Sequence, residues 1–165
     1  MAGALSDKPT AAGLTAEIDR PLHTFGFEYS SFSKEKVTGR FTVNESCCRA
    51  FKRLHFGVVA LVAEAVASAG AYVACGFQRI AGVQLSVNCI RPAFLGDQIE
   101  VEARLIPLDR TIQVWEVQQW KVNPSGSGEK VLLSTSMVTM QCYLPLLSGM
   151  NMKSFEETAK KFAKL

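Results

Sequence analysis

The stretch Phe56–Phe77, FGVVALVAEAVASAGAYVACGF, decides how the rest of this chain folds. It is rich in alanine, valine and glycine, and Glu64 is its one charged residue. An apolar pattern of this length without a polar stripe predicts a helix that other elements cover on all sides. A carboxylate in such a segment is costly unless it is paired, hydrated or protonated, so we expect Glu64 to be a reactive group.

The same stretch is long and apolar enough to be read as a membrane span. A buried helix explains it better, because a glutamate lies near its middle and small residues outnumber leucine and isoleucine. Strand-like segments also follow it at once. We therefore predict a core helix wrapped by a sheet, and no membrane span.

Segments with a two-residue hydrophobic period lie on both sides of the predicted helix. Before it, Phe27–Val43 suits one or two strands. After it come four predicted strands, namely Ala81–Ile90, Gln98–Pro107, Thr111–Val122 and Lys130–Leu144. This order predicts an α+β fold in which an antiparallel sheet curls around one long helix. We expect a flexible lead over residues 1–15, one domain over 16–150, and a terminal helix and tail over 151–165.

Composition bounds the possible functions. The chain has 165 residues, which suits one domain with a real core. Its net charge of +3 gives no basic stripe of the kind that nucleic-acid binding needs. The five cysteines form no CxxC pair and have no metal-ligand spacing, so we predict free thiols and no metal site; they are Cys47, Cys48, Cys75, Cys89 and Cys142.

The predicted start of the helix carries groups suited to acyl transfer. The N–H groups of Phe56 and Gly57 are unpaired by the helix itself and could stabilise an oxyanion. Ser68 follows Glu64 by one turn and could hydrogen-bond it or hold a water. His55 precedes Glu64 by two and a half turns, so we expect the two to meet only across a two-fold dimer, if at all.

A purely structural interpretation of the same residues stays open. In it, Ser68 or Arg49 satisfies a buried Glu64, and His55 is a helix-start residue without chemistry. Cys47 and Cys48 are interpreted as ordinary thiols, although His55 is near enough in sequence to serve one of them as a base.

Several motifs resemble the hot-dog-fold acyl-CoA thioesterases. Leu54–Ala71, LHFGVVALVAEAVASAGA, resembles their HGG…AE…S segment, and GRFTV before it, VQLSVNCIRP after it and the run IQVWEV…STSMVT also match. The similarity is greatest to the plant peroxisomal 1,4-dihydroxy-2-naphthoyl-CoA thioesterases and covers most of the chain. It implies five or six antiparallel strands around a central helix. It also implies dimers, commonly paired into tetramers, with active sites shared between protomers.

The resemblance also implies roles for individual residues. Glu64 takes the position of the nucleophile or general base, and His55 and Ser68 take those of supporting groups. The backbone N–H after the histidine is the oxyanion donor, which places it at Phe56. Coenzyme A enters as part of the substrate, and no other cofactor is implied.

Three positions depart from the family pattern. Phe56 stands where relatives carry glycine, Arg49 where they usually carry glutamine, and Cys89 where they often carry histidine. Arg49 could hold Glu64 in an ion pair or bind an anionic acyl group. These departures predict altered acyl selectivity and leave two alternatives open: non-hydrolytic chemistry on an acyl or keto substrate, and a catalytically silent binding protein.

Two further signals concern partners. Arg91 and Arg110 are candidates for holding coenzyme A phosphates, with ordinary surface charge as the equal alternative. The C-terminal Ala163-Lys164-Leu165 resembles the SKL-type peroxisomal address. It predicts recognition by the peroxisomal import receptor and a peroxisomal location.

Overall fold

The computed structural model describes residues 11–123, 128–149 and 153–162. Its helices are α1 (Ala11–Ile18), α2 (Arg20–Thr24), α3 (Phe56–Ala74) and α4 (Lys153–Phe162). Its strands are β1 (Glu28–Phe32), β2 (Lys36–Thr42), β3 (Cys48–Arg49), β4 (Arg53–Leu54), β5 (Ala81–Cys89), β6 (Gln98–Ile106), β7 (Ile112–Val122) and β8 (Lys130–Gln141).

Six strands form one antiparallel sheet in the order β1-β2-β6-β7-β8-β5. Helix α3 contacts all six of them, so the predicted α+β architecture of one long helix against a curled sheet is confirmed. The remaining strands, β3 and β4, pair with each other, and Arg53 of β4 also forms an isolated antiparallel bridge with Phe94. Although β5 precedes β6 in the chain, it lies beyond β8 at the edge of the sheet.

The helix approaches the sheet closely through a glycine. Trp115 on β7 is completely buried, and a Cβ added at Gly70 of α3 would lie 2.4 Å from its ring. Alternation along β7 brings Val117 and Gln119 to the same buried face as Trp115. The core is therefore built between α3 and alternate residues of the strands.

The prediction that α3 is covered on all sides is wrong along one line. Ala60, Glu64 and Ser68, four residues apart and thus on one face, are only half-buried. This line lies next to β5, where the sheet ends. The helix is long and apolar enough to cross a membrane by composition, but 61% of its most apolar window is buried inside the domain, as in a core helix.

The expected flexible lead over residues 1–15 needs correction. Residues 1–10 lie outside the described residues, but 11–15 belong to α1, which packs against β1, α2 and α4. Leu14 is buried there, and this apolar contact holds the helix in place. Helix α4 lies where a terminal helix is predicted, and Thr158 Oγ1 donates a hydrogen bond to Glu17 Oε2 at 2.8 Å.

Candidate active site

His55 caps the N-terminus of α3. Its Nδ1 accepts the N–H of Gly57 at 2.8 Å, and a Cβ at residue 57 would come within 2.9 Å of that nitrogen, so the contact depends on glycine. The N–H of Gly57, a predicted oxyanion donor, is therefore already hydrogen-bonded within the chain. The N–H of Phe56 has no acceptor in the part of the chain that the structure describes, and it remains the open donor of the first turn.

A short hairpin places two arginines beside this helix start. In the β3–β4 pair, Arg49 lies directly opposite Arg53. The connecting turn is tight, with Phe51 and Lys52 both at positive φ (67° and 55°). Like charges opposite each other repel, and no acidic side chain among the described residues pairs with either guanidinium. The hairpin thus concentrates positive charge at one place.

A cavity of about 120 Å³ opens between the hairpin, the start of α3 and the sheet. We call it the helix-start cavity. Its exposed residues include Arg49, Arg53 and Arg91, and its walls are largely apolar. The full lining consists of Arg49, Arg53, Leu54, Phe56, Val59, Cys89, Arg91, Pro92, Ala93, Gln119, Leu133 and Ser134. Four of the residues predicted from sequence are thereby brought together: Arg49, Phe56, Cys89 and Arg91.

The polar floor of the helix-start cavity is not among the sequence predictions. Gln119 and Ser134 are each only 1% exposed. Gln119 Nε2 donates to the carbonyl oxygen of Val59 at 2.9 Å, whereas Gln119 Oε1 and Ser134 Oγ have no hydrogen-bond partner among the described residues. A signal existed in the sequence: Gln119 shares the strand parity of Trp115, which makes it a polar residue at a buried position.

Glu64 lies in a separate shallow opening at the β5 edge. Ser68 Oγ donates to Glu64 Oε1 at 2.6 Å. Gly82 is close by, since a Cβ added to it would lie 3.5 Å from the same oxygen, and Val83 and Val138 complete the lining with their neighbours. We call this the Glu64 opening. No cation within the described ranges forms an ion pair with Glu64, so Arg49 and Glu64 are not paired within one chain.

The two openings share no lining residue. His55 is engaged with Gly57 and Glu64 with Ser68, so no hydrogen bond joins His55 to Glu64 in one chain. Arg91 lies at the helix-start cavity, where its Nη1 donates to the Leu132 carbonyl at 3.2 Å. Arg110 lines neither opening, and its guanidinium stacks 5.3 Å from the centre of the Tyr143 ring.

The cysteines do not have the character of nucleophiles. Burial raises the pKa of the Cys47, Cys48 and Cys89 thiols, and the nearby Arg53 only partly offsets this for Cys89. Because the thiolate is the reactive form, these groups are neutral thiols at physiological pH. Across the described residues, no three His, Cys, Asp or Glu side chains cluster as a metal site would require.

Comparison with known proteins gives concordant results. Residues 51–126 match the family model of the thioesterase superfamily. The chain is 45% identical over 130 residues to 1,4-dihydroxy-2-naphthoyl-CoA thioesterase 2 of Arabidopsis thaliana, which covers 78% of this chain and 83% of that protein.

Solved structures agree in fold. A thioesterase of Haemophilus influenzae is 23% identical with a TM-score of 0.71 and covers 86% of this chain and 95% of its own. A mutant thioesterase of Pseudomonas aeruginosa is 21% identical with a TM-score of 0.68 and covers 86% of this chain and 99% of its own. Both share the arrangement of sheet and helix described above.

Proposed function

Because this chain belongs to the thioesterase superfamily and is a thioester hydrolase, we propose that it cleaves an aromatic acyl-CoA of the 1,4-dihydroxy-2-naphthoyl-CoA kind to the free acid and coenzyme A. The observation that carries this proposal is the state of Glu64: its carboxylate is half-buried, held by Ser68 at 2.6 Å, and reachable from an opening. The name of the Arabidopsis relative supports the aromatic acyl group. Coenzyme A enters as part of the substrate.

The chemistry follows from the two openings. Glu64 attacks the thioester carbon itself or removes a proton from a water that attacks it. The carbonyl oxygen becomes an oxyanion, and the N–H of Phe56 stabilises it. The C–S bond then breaks, coenzyme A leaves and its thiolate takes up a proton. If Glu64 attacks directly, a water afterwards cleaves the resulting anhydride.

These two groups lie in separate openings of one chain, so we propose that the active form is a homodimer, or a tetramer of two dimers. Strand β5 supports this, because its outer edge is unpaired within the described chain and it exposes Val83 (60%), Leu85 and, just beyond it, Ile90. A second copy added at this edge would bring Glu64 of one protomer toward the helix start of the other. The substrate would then lie between the two subunits.

Within the described part of one chain Arg49 and Glu64 form no ion pair, which bears on the alternatives. Such a pair would occupy the carboxylate and favour a silent binding protein. Arg49 instead lines the helix-start cavity with Phe56 and Cys89. The three departures from the family pattern therefore line one cavity, where we propose that they affect acyl selectivity, and none of them pairs with Glu64 of the same chain.

A Glu64→Gln variant tests the hydrolase. It keeps the shape and the Ser68 contact but removes the charge, so we expect the rate of thiol release from 1,4-dihydroxy-2-naphthoyl-CoA to fall by about 10²–10⁴-fold. Calorimetric binding of the same substrate should persist. Glu35→Gln, an exposed carboxylate between β1 and β2, is the matched control and should keep full activity. Unchanged turnover in Glu64→Gln, or no turnover by the wild type on any of a panel of aromatic and aliphatic acyl-CoAs, would refute the proposal.

We also propose a peroxisomal location, read by the import receptor from Ala163-Lys164-Leu165, which lies outside the described residues. A fluorescent protein fused behind Leu165 should leave the chain in the cytosol. The same protein fused at the N-terminus should be imported. Import of both fusions would contradict the address.

A further inference from the structure

The floor of the helix-start cavity holds two polar atoms that lack a protein partner. Gln119 Oε1 and Ser134 Oγ are buried, both belong to residues that are 1% exposed, and both residues line the cavity. Buried polar groups without partners are destabilising and uncommon in folded proteins. Since both residues line a cavity far larger than the roughly 10–15 Å³ that one water needs, a ligand group that enters the cavity is the expected partner.

The chemistry of that ligand group follows from the two atoms. Gln119 Nε2 donates to the Val59 carbonyl, and reversing the amide would set two oxygens against each other, so Oε1 is the atom left unpaired. It can only accept. Ser134 pairs with Gln119 across β7 and β8, and its hydroxyl can donate as well as accept. Together they match a hydroxyl that donates to Gln119 and accepts from Ser134.

The walls above this floor indicate what carries the hydroxyl. Leu54, Val59 and Leu133 are apolar, which suits a flat hydrocarbon ring. Phe56, whose open N–H is the proposed oxyanion donor, lines the same cavity. A thioester carbonyl at Phe56 would therefore direct its acyl group toward the floor.

We infer that Gln119 and Ser134 are specificity-determining residues that select acyl groups bearing a hydroxyl. This inference rests on the proposed hydrolysis for the direction in which the acyl group enters. A site built to hydrogen-bond a hydroxyl discriminates strongly against an analogue that lacks it, because its polar atoms then stay buried and unpaired.

The test compares three substrates: 2-naphthoyl-CoA, 1-hydroxy-2-naphthoyl-CoA and 4-hydroxy-2-naphthoyl-CoA. For the wild type we expect kcat/KM to be at least about 10-fold higher for one hydroxylated compound than for 2-naphthoyl-CoA. In Ser134→Ala and in Gln119→Leu this preference should shrink to within about 3-fold. Ser134→Ala removes a hydroxyl that has no protein partner, so the variant should fold even if Gln119→Leu does not.

Ser136→Ala is the matched control. Ser136 lies on the same strand, is equally buried and has an unpartnered hydroxyl, but it does not line the cavity. The Ser136→Ala variant should show the same ratio of kcat/KM between the hydroxylated substrate and 2-naphthoyl-CoA as the wild type. If the wild type hydrolyses these compounds, equal effects of the two serine variants, or equal kcat/KM values of the wild type for all three, would overturn the inference.

A binding measurement separates this inference from the hydrolysis itself. The same three compounds are titrated into Glu64→Gln and into Glu64→Gln/Ser134→Ala by calorimetry. Tighter binding of a hydroxylated compound that is lost with Ser134→Ala supports the inference even if the wild type hydrolyses none of them. Equal binding of all three by Glu64→Gln contradicts it even if the wild type hydrolyses each one.

Discussion

Phe56 combines two properties that act at different atoms. Its side chain, 48% exposed at the mouth of the helix-start cavity, replaces the hydrogen of a glycine in the related motif. Its backbone N–H is the first of α3 and has no acceptor among the described residues, whereas His55 caps the N–H of Gly57. The proposed reaction needs only the N–H, so the side chain changes the size of the acyl site while the oxyanion donor is kept.

Replacing Phe56 by proline removes both the N–H and the benzyl side chain, whereas replacing it by alanine removes the side chain only. Proline suits the first position of a helix, and His55 before it has φ −72° and ψ 131°, a conformation that a following proline permits. We expect Phe56→Pro to keep its far-UV spectrum and to lose about 10²–10³-fold in kcat. Phe56→Ala, which keeps the N–H, should retain kcat to within about an order of magnitude. Equal losses in the two variants would place the oxyanion donor elsewhere.

At this scale the sequence predicts part of the site. The motif around Glu64 indicates the acid, its serine and the helix-start donor, because these lie close together in the chain. Arg53, Gln119 and Ser134 are missed because the strands that carry them become neighbours only in the folded sheet. The pairing of Arg49 with Arg53 could not be predicted from the sequence either, because strands of only two residues show no periodicity.

Among the elements, α3 and β7 pack closely because Gly70 on the helix lies against Trp115 on the strand. The ring of Trp115 occupies the space that a side chain at Gly70 would need. Helical glycine is otherwise unfavourable by about 1 kcal/mol relative to alanine, so close packing is the reason that it is tolerated here.

Gly70→Ala should therefore destabilise the domain despite its better helix propensity. A Cβ 2.4 Å from the indole forces a shift in a packed core, and we expect a loss of about 1–3 kcal/mol in the free energy of unfolding measured in urea. Gly82→Ala is the control, because its Cβ meets only Glu64 Oε1 at an ordinary 3.5 Å. Equal stability of Gly70→Ala and the wild type would show that α3 can move away from β7 at no cost.

The elements themselves are largely predictable. Two-residue alternation gives β6 and β7 to within a residue or two, and the apolar run gives α3. Helix α1 is missed because its short sequence, AAGLTAEI, contains a glycine and too little apolar periodicity to stand out from a polar lead. The position of β5 beyond β8 is also missed, since local periodicity carries no information on strand order.

For the whole molecule, the separation of Glu64 from the helix start makes a mixing experiment decisive. Glu64→Gln and Phe56→Pro each disable a different half of the proposed shared site. After the two inactive proteins are unfolded and refolded together, half of the dimers are mixed and each mixed dimer has one intact site, so we expect about a quarter of wild-type activity. Each variant refolded alone should stay inactive. No recovery in the mixture would place both groups at a site within one subunit.

Alkaline stability follows from a buried thiol. Burial raises the pKa of Cys142 from 9.0 to about 12. In the unfolded chain this thiol ionises above pH 9, whereas in the folded protein it keeps its proton until about pH 12. The contribution of the protonated thiol to the free energy of unfolding is therefore complete below pH 9 and is lost as the pH rises to 12. We expect the midpoint of thermal unfolding to fall over that range and to fall less steeply in Cys142→Ala. Parallel curves for the two proteins would contradict this assignment.

In the proposed dimer a second copy covers the open side of β5, and this has a consequence for a protomer that is still alone. A long strand with unsatisfied backbone groups and apolar side chains such as Val83 is a template onto which foreign strands can add. A newly made or diluted protomer would therefore be prone to aggregate until a second copy covers this edge. On this view, the soluble fraction of the protein increases with its concentration until every β5 edge is paired with that of a second copy.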